Sequence, residues 1–339
     1  MESPEIARTS RAGPLASVVI PVRNRPDLLL RCMDSLISQD ASPESYEIVV
    51  CDDGSTENIL QVVHRFQPGP PRARLLRQAA LGPAAARNLG IRGTQTPLII
   101  FLDSDAVADK GMVVHLVSAL TKNEDWQGAE ARVIPMEGKD GPLWDAPVSG
   151  EERRYHIGAS AYRREAITAA GGLDEDFKMP ACEDVELAMR MLDRGPIGFV
   201  PAAIAYHPRR RVTLTTHWRW RKHWKYLTIL AKRYGILGFP GHDTGPWPRL
   251  RVALAAVVNL PAGRFIEGLR HMNRNVPEGI LSCIYAVFDV LCGICALPDI
   301  LFCRIPDRQN YLHGKDLTSE RPIEQAPNIR ENEAARDAL

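Results

Sequence analysis

The apolar residues of the amino-terminal third come in short unbroken blocks. Between the blocks lie longer stretches where apolar and polar positions mix at helical spacing. The blocks at 16–22, 46–51 and 98–102, with the short arginine-punctuated stretch at 72–77, predict strands, and the stretches at 26–38, 56–66 and 82–92 predict helices. The first helix has Pro26 in its opening turn, the second has Ser55 as its N-cap, and the third is rich in alanine. Leu98 to Leu102, five apolar residues behind Pro97, reads as a strand buried on both faces. Strand–helix alternation of this regularity demands a mostly parallel sheet with helices on both sides, the α/β class.

Past residue 110 the pattern loosens. A helix is expected over 112–120, a strand over 128–135 and a small-residue strand over 156–163. The intervening stretch 137–152, rich in Gly, Pro and charge, is long enough to act as a mobile lid. Glu183-Asp184 open a helix to residue 194 whose inward stripe is Leu187, Ala188, Met191 and Leu192. Short extended pieces follow at 198–201 and 205–207, and the composition changes at Arg209-Arg210-Arg211. Beyond it come a basic, aromatic helix over 218–234 with Trp220, Trp224 and Leu227 on one face, a Gly/Pro-crowded loop over 238–247, and apolar helices over 250–260 and 280–303. The last approaches membrane-spanning length, but Asp289, Pro298 and Asp299 interrupt it, which favours an amphipathic or partly inserted bundle. The expected organisation is a disordered tail (1–14), an α/β domain (15–211), a helical region with a possible membrane surface (212–312), and a charged disordered tail (313–339).

Composition narrows the classes. The chain has 339 residues, 45% hydrophobic and 24% charged, as in ordinary folded proteins. A net charge of +1 gives no global field for nucleic acid. The seven cysteines are odd in number, scattered, and mostly inside apolar runs. They predict reduced thiols in a cytoplasmic setting, at the inner face of the cell membrane if the helices meet lipid. Cys292 and Cys295 have a metal-ligand spacing, but no second close pair accompanies them, so core cysteines are expected. The first fourteen residues hold no apolar block, so no secretory signal is expected. No Gly-x-Gly-x-x-Gly follows the first strand, and no P-loop sequence occurs.

The candidate chemistry sits at strand ends. The strand 98–102 runs into Asp103-Ser104-Asp105, and ligands of open α/β sheets collect outside the carboxyl ends of strands. Two carboxylates one residue apart suit a hard divalent ion, Mn²⁺ or Mg²⁺, carrying a diphosphate; the plainer alternative is a polar strand end turning into a helix. The strand 46–51 likewise ends in Asp52-Asp53-Gly54-Ser55, and the helix at 82–90 reads Gly-Pro-Ala-Ala-Ala-Arg-Asn-Leu-Gly. Together with Val19-Ile20-Pro21-Val22-Arg23-Asn24 and Glu183-Asp184, in that order, these features resemble the family 2 glycosyltransferases of the GT-A fold, over roughly 17–207. The resemblance implies a Rossmann-like, mostly parallel sheet flanked by helices, with a carboxy-terminal helical appendage outside it. It also implies a nucleotide-sugar donor, UDP the expected nucleotide, and a saccharide or lipid-linked acceptor.

By the same resemblance, Asp52 accepts the uracil N3–H, and Pro21, Val22, Arg23 and Asp53 border the base; a turn-forming role ahead of Gly54 is the alternative for Asp52. Arg87 reaches the nucleotide, Asp103 with Ser104 holds the ribose, and Asp105 ligates the metal. Asp184 is the candidate general base, with Glu183 orienting the acceptor, and in-line attack then inverts the anomeric carbon. Acids in a helix's first turn also favour the macrodipole, so capping is the competing account. His207 is either a further metal or diphosphate ligand or a structural histidine. Gly158, Ser160 and Asp174 lie in segments that resemble those flanking the acceptor and sugar. Thr216-His217-Trp218-Arg219-Trp220 is similar to the Gln-x-x-Arg-Trp of processive members, with threonine for glutamine. Arg219 and Trp220 would then hold diphosphate and acceptor, or the same helix lies at a membrane surface. Two rivals stand: a silent nucleotide-sugar-binding scaffold, which the full set of acids argues against, and a sugar-phosphate nucleotidyltransferase, whose Gly-rich basic loop Arg23-Asn24-Arg25-Pro26 does not supply.

Overall fold

A computed structural model describes residues 13–67, 69–149, 154–236, 247–302 and 324–325. The expectations for residues 1–12, 150–152, 238–246 and most of 303–339 lie outside them. In chain order the elements are β1 (Ala16–Val22), α1 (Pro26–Ile37), β2 (Tyr46–Asp53), α2 (Ile59–His64), β3 (Arg72–Gln78), α3 (Pro83–Arg92), β4 (Leu98–Leu102), β5 (Val107–Ala108), α4 (Met112–Lys122), β6 (Gly128–Pro135) and β7 (Trp144–Asp145). Then come β8 (Ala159–Arg163), α5 (Arg164–Ala169), α6 (Glu183–Leu192), β9 (Ile197–His207), β10 (Arg210–Arg211), α7 (Leu214–Trp220), α8 (His223–Tyr234), α9 (Pro248–Leu254), α10 (Leu260–His271), α11 (Val276–Phe302) and β11 (Glu324–Gln325).

The main sheet has the order β11-β3-β2-β1-β4-β8-β6-β9-β5. Strands β3, β2, β1 and β4 are parallel neighbours, as are β6 and β9, while β8 runs antiparallel between β4 and β6. The sheet is therefore mixed and mostly parallel, as the alternation of strands and helices predicts. Alternate side chains feed two cores, because neighbouring residues of a strand point to opposite faces. Val18, Ile20, Val50 and Ile100 pack with α1 and α4 on one side, and Val19, Val49, Ile99 and Phe101 with α3, α5 and α6 on the other. Burial on both faces is why these strands read as unbroken apolar blocks. Helix α3 comes so close to the sheet that a Cβ on Gly90 would lie 2.3 Å from Val19 Cγ1.

The structure corrects several expected elements. Helix α2 starts at Ile59, and its N-cap is Asn58, whose side chain accepts from Gln61 N at 3.1 Å. The Ser55 hydroxyl instead accepts from Asn24 N at 2.7 Å and fastens the β1–α1 turn, where Asn24 and Arg25 are both left-handed. The pieces expected at 198–201 and 205–207 are one strand, β9, with its register shift opposite Ala131 and Arg132. The described part of the proposed lid is fastened: β7 pairs with β10, and Val133 N donates to Ser149 Oγ at 2.6 Å. The basic helix over 218–234 is two helices, α7 and α8, and α9 continues through a π-helical turn (Ala255–Asn259) into α10.

The division expected at residue 211 runs through packed contacts. A third core joins Phe177, Cys182 and Val185, around the start of α6, to Tyr226, Leu230, Val252, Ala296 and Ile300 of the carboxy-terminal helices. Arg233 of α8 adds ion pairs to Asp174 (2.9 Å) and Glu186 (3.5 Å), all deeply buried. The six described cysteines are free thiols.

Candidate functional site

The parallel strands β1, β2 and β4 deliver their carboxyl ends to one edge of the sheet, and the sequence places acids there. Asp103 follows β4 directly, half-buried, and accepts from Arg87 Nη2 at 2.8 Å. Asp105, across the half-buried Ser104, is buried, with His207 Nε2 3.3 Å from its Oδ1. Its other oxygen receives Arg210 and lies 3.4 Å from Arg25 Nη1. Burial opposes ionisation of Asp105, but His207 and Arg210 hold its carboxyl well below the usual carboxylate range. One donor atom each from Asp103, Asp105 and His207 fall within 4.8 Å of one another, and among the described residues this is the one such grouping. Two carboxylates and an imidazole form a donor set that fits Mn²⁺ or Mg²⁺.

Asp52, at the end of β2, is buried. It accepts from Ser55 N at 2.8 Å, and Arg77 Nε stands 3.4 Å from its second oxygen. At the end of β1, Pro21 is half-buried and Arg23 exposed. Val22 faces the sheet core, so its side chain cannot border a base. Asp53 is also corrected. Its carboxylate accepts from Gln78 Nε2, Leu81 N and Gly82 N at 2.8–2.9 Å, which ties down the loop before α3.

Arg87 is taken up by acids of the site. It is buried and bridges two acids, Asp103 and, at 3.2 Å, Glu183 Oε1. Burial opposes its charge, but those acids raise its pKa overall. Glu183 is correspondingly shut in, its side chain 4% exposed. Burial and the charge of Asp184 push the Glu183 carboxyl up, with Arg87 working the other way. Asp184 is the accessible member of the pair at 21%, beside His156, whose Nδ1 is 3.9 Å away.

Gly158 serves Asp103: a Cβ there would come 2.3 Å from Asp103 Oδ2. Ser160 and Asp174 are corrected as acceptor-facing groups, since Ser160 is buried and donates to His156 O at 2.6 Å, and Asp174 is fully buried against Arg233. Arg219 and Trp220 are exposed on α7, which packs on α8 and α11. Four participants escaped the sequence reading. Glu130, buried in β6, accepts from the backbone N–H groups of Tyr155 (3.0 Å) and His156 (3.2 Å), holding Tyr155 at φ 58° and His156 near Asp184. Its one signal was an acid inside an apolar strand. Arg210 read only as part of a basic boundary, and Arg77 and His156 gave no signal.

Comparison with known proteins adds a family likeness. A family model described as glycosyl transferase family 2 matches residues 17–168. That stretch is thus similar to the family 2 glycosyltransferases. The family 2 match ends before Glu183, Asp184 and His207, which the fold brings to the same edge. The chain is 41% identical over 108 residues to validoxylamine A glucosyltransferase of Streptomyces hygroscopicus subsp. limoneus, covering 31% of this chain and 24% of that protein. It is 38% identical over 170 residues to the uncharacterized glycosyltransferase YibD of Escherichia coli (strain K12), covering 44% and 49%. The matches thus span less than half of either relative. Among solved structures, the fold is like that of the mannosyltransferase PcManGT from Pyrobaculum calidifontis in complex with GDP-Man and Mn²⁺. The TM-score is 0.52, the identity 15%, and the likeness covers 94% of this chain and 92% of that one. S. aureus TarS gives a TM-score of 0.50 at 16% identity, covering 80% and 54%. At these identities the likeness establishes the GT-A-like fold alone.

Proposed function

We propose that this protein is a metal-dependent, inverting glycosyltransferase. It moves one sugar from a nucleoside-diphosphate donor, UDP the expected nucleotide, to a hydroxyl of a saccharide or lipid-linked acceptor. The observation that carries this reading is the gathering of Asp103, Asp105 and His207 within 4.8 Å, joined through Arg87 and Glu183 to the start of α6, which bears Asp184. Asp103, Asp105 and His207 would hold Mn²⁺ or Mg²⁺. A bound ion supplies positive charge against the charge that builds on the departing diphosphate. Asp52, between Ser55 and Arg77, would receive the base, with Pro21 and Arg23 at its margin.

Asp184 takes the acceptor's hydroxyl proton while that oxygen attacks the anomeric carbon. The bond from that carbon to the diphosphate oxygen breaks, the nucleotide diphosphate leaves, and the configuration inverts. Glu183, closed in by Arg87, keeps α6 in register with Asp103 and does not itself touch the acceptor.

The test is nucleotide release with Mn²⁺ across a panel of donors and acceptors. Asp184→Asn should lose roughly 10²–10⁴-fold in turnover, the usual share of a general base, while calorimetry shows unchanged UDP binding. Asp105→Ala should lose Mn²⁺-dependent UDP binding as well. Undiminished turnover in Asp184→Asn would remove the base assignment, and tighter binding of GDP than UDP would remove the assignment of uracil to Asp52.

A further inference from the structure

Helix α11 is built inside out for a protein in water. Its buried positions are mostly small: Gly279, Ser282, Ala286, Cys292, Gly293 and Ala296. Its large aliphatics Ile280, Ile284, Val287, Leu291 and Ile294 recur every three or four residues, with Leu301 two helical turns further on, so the six form one stripe along the helix. All six are exposed, Val287 by 61%. The continuous helix α9–α10 does the same, with Leu250, Leu254 and Val258 spaced by four and exposed, followed by Phe265 and Leu269. A soluble helix points its aliphatics inward, and an exposed apolar face of this extent marks an interaction surface. Small residues let the two helices approach closely. A Cβ on Gly293 would lie 2.5 Å from Ala256 O, and one on Gly268 would lie 2.9 Å from Gly279 O. Such contacts are typical of helix pairs in lipid.

Both helices, 24 and 27 residues with the π turn included, are long and apolar enough to cross a bilayer. Their contacts with the rest of the chain argue against crossing. At the turn end of the hairpin, Gly141 lies against His271 and Glu278, and Arg264 Nη1 donates to Pro142 O at 3.3 Å. At the opposite end, Val252, Ala296 and Ile300 share a core with Phe177 and Val185. From Glu278 to Ile300 a helix rises about 33 Å at ~1.5 Å per residue. A hairpin fastened to the rest of the fold at both ends of that length lies along it. A crossing hairpin would carry its turn away from the domain to the far side of the membrane.

The rim supplies the rest. Helix α7 packs on α11 and shows Trp218 and Trp220 to solvent, with the Arg221 guanidinium 3.8 Å over the Trp218 ring. Besides the buried Arg233, residues 214–234 hold five Lys or Arg and no Asp or Glu. Aromatic rings and basic heads of this kind partition to the headgroup level, and the charge complements an anionic lipid surface.

We infer that the α9–α11 hairpin is a monotopic platform that lies in the plane of an anionic membrane surface, its aliphatic stripes in the acyl boundary and α7 at the headgroups, without crossing. The inference does not depend on the sugar-transfer reading, because vesicle binding and turnover are read separately. The test floats the full chain with vesicles of phosphatidylcholine alone or with a minor share of phosphatidylglycerol. The expected result is co-flotation, stronger with phosphatidylglycerol and weakened by salt. Val287→Glu with Leu291→Glu should weaken binding by at least about tenfold, as for aliphatics withdrawn from an apolar phase, while circular dichroism and UDP binding stay unchanged. Asn273→Cys, in the hairpin turn, should react with an impermeant maleimide added outside intact vesicles, read by peptide mass spectrometry. Labelling of that cysteine only after the vesicles are opened would mean that the hairpin crosses. Failure to float, or a stable homodimer without lipid that buries the stripes, would likewise overturn the inference.

Discussion

Arg87 is the side chain that binds the two halves of the site together. One planar fork spans Asp103 and Glu183, which an ammonium cannot reproduce. Arg87→Lys should therefore cost roughly 2–4 kcal/mol by urea unfolding, because it leaves one buried carboxylate without its partner. It should also lower turnover by displacing Asp103. His156 offers a pH-dependent counterpart. Burial works against its imidazolium, but Asp184 and Glu130 outweigh that and raise its pKa above the ordinary 6.5. The folded chain thus holds this proton more tightly than the unfolded chain does. The resulting stability is complete below the ordinary value and is lost as pH rises through the raised one. His156→Gln should flatten that part of the Tm-against-pH curve, and leave the carboxylate-dependent loss at low pH in place. Gly158→Ala is a third case: its Cβ would meet Asp103 Oδ2, so UDP affinity with Mn²⁺ should fall while global stability changes little. At this scale the sequence disclosed the acids, whose positions at strand ends were legible from the apolar blocks before them. It did not disclose their partners. Arg210, Arg77 and His156 are distant in sequence from what they touch, and ordinary surface arginines and histidines look no different.

The elements most legible were those buried on both faces, because their apolar runs have no competing period. Strands β1, β2 and β4 fall close to their expected bounds. Legibility failed where tertiary contacts chose the structure. Strand β9 carries Gly198, Pro201 and a run of alanines, which read as fragments, yet pairing with β6 across a register shift makes it one strand. The stretch 137–149 read as a lid because its composition is loop-like, whereas β10 and Ser149 fasten it. The closeness of α3 to the sheet carries a prediction at this scale. Gly90→Ala would drive a methyl into Val19, with Cys51 Sγ also only 3.1 Å away. Overpacking of this kind should cost about 1–3 kcal/mol in denaturant unfolding, with the slope of the transition unchanged.

Across the whole molecule, the composition change at 209–211 suggested a seam, but the fold uses the following helices as a floor for the start of α6. Arg233 illustrates the dependence. It reaches from α8 to Asp174 and Glu186 with every partner buried. Arg233→Met should destabilise the chain by roughly 3–5 kcal/mol, the usual cost of stranding a buried charge, and should lower activity through the segment from Asp174 to the start of α6. Thermal unfolding and nucleotide release together check both halves of that expectation. A fragment ending at Arg211 should be insoluble or unfolded, since it uncovers Phe177, Cys182 and Val185.

That shared third core fixes how the chain can be taken apart. The part most readily recognised by descent stops at residue 168, whereas the proposed base and the histidine beside Asp105 come later and rest on helices later still. Kinship and self-sufficiency therefore have different borders in this chain. Grafting the ancestral portion onto another scaffold would transplant the proposed docking berth for a donor without the proposed means to turn it over.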